Sequence, residues 1–128
     1  MVVMQKKIVR IIVHAPYNSH THGIFQQLNI LKFPDIYHFF LGKYMFLQVN
    51  NAIPEPLLNK YILCSDIHTH NTRQANKLHK QSRRTALVSN SLIERGPDYW
   101  NTLPENIREV TTCKLFNKRH KYCLTHAY

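Results

Sequence analysis

The chain has 128 residues, 44% of them hydrophobic, with 17 Lys and Arg against 7 Asp and Glu. That length fits one domain, or one large piece of one, and the apolar content excludes wholesale disorder. The formal net charge of +10 points to a polyanionic partner, which for a soluble protein is usually nucleic acid, with a solubilising coat as the plainer reading.

In chain order, the first segment, 2–13 (VVMQKKIVRIIV), carries two signals. Its β-branched residues favour a strand. Met4, Ile8, Ile11 and Ile12 fall at helical spacing, with Lys6, Lys7 and Arg10 opposite, and predict a helix over about 3–13. The apolar run Ile8–Val13, interrupted by Arg10, is too short for a membrane span. It has no small-residue cleavage site of the kind that follows a signal peptide. Pro16 ends the segment, and Thr21 or Ser19 can cap a helix over 22–29 with a hydroxyl.

Pro34 in a first helical turn and Asp35 at the positive end of the dipole predict a helix over 34–49. Ile36, Tyr37, Phe39, Phe40, Leu41, Tyr44, Met45, Phe46 and Leu47 make it apolar nearly all round, which places it at the centre of the core. Pro54 and Pro56 lead into a short helix over 55–63. From Ser65 the apolar residues thin out. Arg73, Lys77, Lys80, Arg83 and Arg84 follow with no acid between them. Thr85–Glu94 (TALVSNSLIE) has a rough period of two. These features predict two strands, about 70–78 and 86–94, paired as an antiparallel hairpin with a basic connection. Gly96-Pro97 breaks the second strand and opens a helix over 97–102. Pro104 opens another over 104–109, and Thr111 or Thr112 caps a last helix over 113–125. The expected class is mainly α with a small antiparallel β-hairpin (α+β). A helical part, 1–64, and a hairpin with C-terminal helices, 65–128, would form one compact unit.

Nine histidines invite a metal reading. His20 and His22, and His68 and His70, are spaced so that a strand would put each pair on one face. No further ligand pattern follows, so the expectation is no metal and loop hydrogen bonds, or groups near a phosphate backbone. Cys64, Cys113 and Cys123 lack a CxxC pairing and are expected to be reduced, intracellular thiols. The lone Trp100 is expected to anchor its helix to the core, with base stacking as the alternative, and Asn101 to cap or bracket the turn to Pro104. The basic stretch 73–84 is the first nucleic-acid candidate. The second is the last helix, where Lys114, Lys118 and Lys121 fall at i, i+4, i+7 beside Arg119.

Several stretches add a family resemblance. QKKIVRII at 5–12, APYNSHT at 15–21, FQQLNIL at 25–31, DIYHFFLGKYMF at 35–46, HTHNTRQ at 68–74, GPDYWNTLPENIRE at 96–109 and KLFNKRHKYCL at 114–124 occur in this order. Together they resemble the C-terminal segment of reverse transcriptases from LINE-type, jockey-like non-LTR retrotransposons. Asn71, Thr72, Gly96, Pro97, Trp100, Asn101, Leu103, Pro104 and Phe116 stand at the motif positions. The resemblance favours the helix at 3–13 and implies thumb-like helices in 5–50 and the C-terminal module in 65–128. In that family the thumb grips the template–primer duplex, and the C-terminal region helps hold RNA template and target DNA.

The family's palm carries Tyr-x-Asp-Asp and binds Mg²⁺ for phosphoryl transfer. Here Asp35, Asp66 and Asp98 each stand apart from any other acid. The resemblance therefore implies a post-palm piece of an RNA-directed DNA polymerase, with no cofactor and no catalysis of its own. Its expected partners are RNA or DNA, held weakly and without sequence preference, together with a palm domain and no membrane. The rival expectations are a protein-interaction or structural module using the apolar helix 35–47, or a non-functional element remnant. The family usually has an apolar residue three or four positions after Phe116. His120 stands there instead, so incomplete packing of the last helix is expected.

Overall fold

The computed structural model describes residues 1–58, 61–70, 72–80 and 85–127. The described chain is helical: α1 (Val2–Ile12), α2 (His22–Gln27), α3 (Phe33–Val49), α4 (Cys64–Ile67), α5 (Ala86–Ser89), α6 (Leu92–Thr102), α7 (Glu105–Arg108) and α8 (Cys113–His126). The caps at Thr21 and Thr112 are made by backbone, without a side-chain hydrogen bond. Termination of the first three helices follows one rule. His14, Asn29 and Asn51 take positive φ, and the next amide reaches back to a carbonyl five residues earlier: Ala15 to Arg10, Ile30 to Phe25 and Ala52 to Leu47. These are Schellman ends built without glycine, at positions where Asn and His are among the residues that tolerate the left-handed region.

The expected β-hairpin is overturned, and the α+β class with it, because the described residues contain no strand. Residues 86–94 are α5 and the start of α6. Ser91 is the N-cap of α6 and Glu94 its third helical position, and Ser-x-x-Glu ahead of a helix is a start signal. The signal competed with a weak alternation in which only Thr85, Val88 and Ile93 are β-branched, and the helix won. The Ser91 hydroxyl itself donates to the Val88 carbonyl at 2.6 Å. In the other expected strand, Asn71 lies outside the described residues. Ala75 N–H donates to Thr72 O and Lys77 N–H to Gln74 O, so the segment turns instead of extending. Leu78 forms an isolated antiparallel bridge with Leu63.

That bridge also displaces the helix expected over 55–63. A single 3-10 turn, Glu55–Leu57, is present. Beyond it, Ile62 O accepts from His79 N–H at 2.7 Å and Cys64 N–H donates to Lys77 O at 2.9 Å. A backbone group committed across the chain cannot serve an α-helix. Residues 59 and 60 of that expected helix lie outside the described residues.

Gly96-Pro97 does not begin a helix but sits inside α6. Packing accounts for the interruption being tolerated. A Cβ on Gly96 would collide with Met45 Sδ of α3, so the glycine lets the two helices approach. The main core joins Met45 and Phe46 of α3 to Leu78, Trp100, Leu103, Ile107, Val110 and Phe116. Residues on both sides of position 64 therefore share one core. A smaller cluster of Val9, Ile24 and Phe25 ties α1 to α2.

Candidate nucleic-acid interface

Helix α8 positions the candidate site. Phe116 and His120 are both fully buried. Phe116 stacks against Phe46 at 4.6 Å and against Trp100 at 5.9 Å between ring centroids. Trp100 is 4% exposed, as a core anchor should be. With this face pinned to α3 and α6, Lys114 and Lys118 point to solvent and Lys121 is half-buried. None of these three lysines has a carboxylate within 4 Å among the described residues. Arg119 is held differently, donating to the Asn106 carbonyl at 2.8 Å.

An open groove of about 810 Å³ lies along α8. Lys118, Arg119, Lys121, Tyr122 and His126 of α8 line it, facing Pro104, Asn106 and Ile107 at α7 and Asn29 after α2. Lys114 lies outside it. Sequence reasoning picked out the cations of this groove and missed Tyr122 and His126. Both fall on the turns after Lys118 at a spacing of four, so the helical periodicity that found the lysines could have found them.

The first expected basic region, 73–84, is less free than its sequence suggests. Arg73 is exposed and Lys77 half-buried, while Arg83, Arg84 and Asn71 lie outside the described residues. Lys80 forms an ion pair with Asp98 at 2.6 Å, so an acid far along the chain is folded onto the stretch that lacked one. Arg108 of α7 donates to Asn76 O at 3.3 Å, tying this segment to the helices.

The motif around Trp100 is structural in this setting. Gly96 and Pro97 are buried, Gly96 against Met45 of α3, Leu103 is 7% exposed, and Pro104 is the N-cap of α7 and part of the groove wall. Asn101 does not bracket its own turn. Its Oδ1 accepts from Leu78 N–H and its Nδ2 donates to Leu78 O, both at 2.9 Å. One amide thus supplies a residue in the Leu63–Leu78 bridge with the hydrogen bonds of a further strand. Thr72 is exposed, its carbonyl closing the turn to Ala75.

His120, expected to loosen α8, is instead enclosed by Phe39, Phe116 and Tyr99. Its Nε2 lies 2.8 Å from the Tyr99 hydroxyl, and its Nδ1 is buried without a partner among the described residues. We assign the hydrogen to Nε2, since the other tautomer would bury an N–H with no acceptor. Burial, and secondarily nearby His38, push the imidazole down to about 4, so it packs as a neutral ring. Burial likewise raises the Tyr99 hydroxyl to about 12. Gly42 makes the room, because a Cβ there would collide with the His120 ring.

Set against protein-family models, curated proteins and solved structures, the chain matches none. Among the described residues no helix is long and apolar enough to cross a membrane, and no group of three or more His, Cys, Asp or Glu is placed to hold a metal ion.

Proposed function

We propose that this chain is a non-catalytic, post-palm piece of a non-LTR retrotransposon reverse transcriptase that holds RNA or single-stranded DNA weakly and without sequence preference. The α8 face carries the reading: Lys114, Lys118 and Lys121 on one helix stripe, with no carboxylate within 4 Å among the described residues, in a chain of charge +10. Such a stripe neutralises successive phosphates and releases counterions. The ordered motifs through Gly96–Pro104 and Phe116 support the family, and the isolated Asp35, Asp66 and Asp98 support the absence of polymerase chemistry. Nucleic acid sets its place inside the cell.

The test is binding of a labelled decamer at several salt concentrations. With about five phosphates contacted, log K falls against log salt with a slope near −3.5 for a single strand. Changing Lys114, Lys118 and Lys121 together to Gln weakens all sequences alike and flattens that slope. Affinity that ignores salt, or survives the triple change, overturns the reading. Primer extension on an RNA template with Mg²⁺ is expected to give no product.

A second reading rests on exposed apolar surface. The N-terminal half of α3 leaves Phe33, Ile36, Tyr37 and Phe40 exposed at i, i+3, i+4, i+7, the pattern of a helix face that takes a protein partner. In the proposed parent, that partner is the palm domain. Recovery of a soluble complex on co-expression with a palm domain, lost in Ile36→Glu/Phe40→Glu, is the check.

A further inference from the structure

The groove along α8 contains more than charge. Tyr122 and His126 stack one turn apart, with ring centroids at 3.9 Å and planes at 20°. Tyr122 is 64% exposed, so this is a surface platform rather than part of the core. The stack is held in place: His126 Nδ1 lies 2.9 Å from the Tyr122 carbonyl, which can only accept, so the ring nitrogen donates to it. Thr125, buried beside the pair, donates back into the helix backbone. Lys118 lies one turn before Tyr122 and Lys121 immediately before it, and both line the same groove. Pro104 and Leu115 give the groove an apolar wall, and Asn106, whose backbone carbonyl accepts from Arg119, lines it as well.

We propose that this groove takes an unpaired nucleobase of single-stranded RNA or DNA, stacked on Tyr122, with the flanking phosphates on Lys118 and Lys121. The inference rests on the nucleic-acid reading above and deepens it. An exposed aromatic face beside cations suits a base whose own faces are uncovered, which a single strand offers and a duplex does not. A volume of about 810 Å³ has room for a nucleotide. Every base has a π-face, so the site adds affinity without selecting sequence.

The experiment compares two probes of equal charge on the full chain at one salt concentration: dT10 and an abasic decamer with the same phosphates. The base-bearing probe is expected to bind about tenfold tighter, within the range for stacking one base. Tyr122→Ala brings that ratio close to one. Tyr17→Ala, which removes another exposed tyrosine far along the chain, leaves the ratio unchanged. Equal binding of both probes by the native chain overturns the base site and leaves the phosphate reading standing. No binding of either probe overturns both. A preference for dT10 that persists in Tyr122→Ala places the bases elsewhere and also overturns the proposal. Circular dichroism of each variant shows that α8 remains folded.

Discussion

Helices α1 and α8 have the same kind of sequence and opposite fates. Each is basic and amphipathic, with three or more cations and large apolar side chains at helical spacing. α8 turns Phe116 and His120 into the main core and keeps its lysines outside. α1 buries only Val9 and leaves Val3, Met4, Ile8, Ile11 and Ile12 at 50% exposure or more. The difference lies in what stands opposite. α8 meets α3, where Gly42 leaves room for the His120 ring, and Tyr99 and Trp100 of α6, a helix that Gly96 lets approach α3. α1 is held by the small cluster with α2 and by Gln5, whose amide bonds Leu31 O and Phe33 N–H. An amphipathic period therefore fixes that a helix forms and which face is apolar, while a matching concave surface decides whether that face is covered.

Four measurements would break or sharpen this contrast, beginning with the largest effect. Trp100→Ala removes a large ring stacked against Phe116, and should lower stability in urea unfolding by about 3–5 kcal/mol. A loss under about 1 kcal/mol would mean that α8 is not anchored where the contrast requires. Gly42→Ala forces a methyl into the His120 ring and should cost about 1–3 kcal/mol, with Gly23→Ala, where a Cβ meets open space, as the harmless comparison.

The third measurement uses pH. His120 is neutral in the fold, with its value depressed to about 4 from an ordinary value near 6.5. The unfolded chain therefore binds more protons than the folded one between those values. Stability is fully present above about 6.5 and falls as pH drops towards 4, with a limiting slope near 1.4 kcal/mol per pH unit. His120→Gln should flatten the profile in that window, and an unchanged slope would place the titration on other groups.

The smallest effect is expected at α1. Ile8→Gln and Ile11→Gln should each change stability by no more than about 0.5 kcal/mol, as for exposed positions. A loss of several kcal/mol that grows with protein concentration would show that the α1 face is covered in solution by another copy.

The contrast also marks how much was legible beforehand. Helix α3 could be read from Pro34, Asp35 and its dense apolar run. Its end could be read from Asn50-Asn51, because local propensity and capping act within a few residues. The lysine stripe of α8 was legible for the same reason. The hairpin was misread because Ser91-x-x-Glu94 and the alternation in 85–94 compete locally, and only packing settles such ties. Residues 61–63 lost their expected helix to backbone pairing with 77–79, under the grip of Asn101 from more than twenty residues away. Lys80 lost its apparent freedom to Asp98 in the same way. His120 was read as a flaw in a helix, yet the structure supplies Tyr99 for its nitrogen and Gly42 for its ring.

By itself, then, the sequence determined the charge, the helices α1, α3 and α8 and the stripe of lysines, all of which depend on neighbours within one or two turns. Only the tertiary structure decided which apolar faces are covered, which cations are paired, and that Asn29, Pro104 and Asn106 come to α8 to form a groove. Those outcomes depend on groups distant in the chain, whose meeting is set by the summed packing of α3, α6 and α8 rather than by any local pattern.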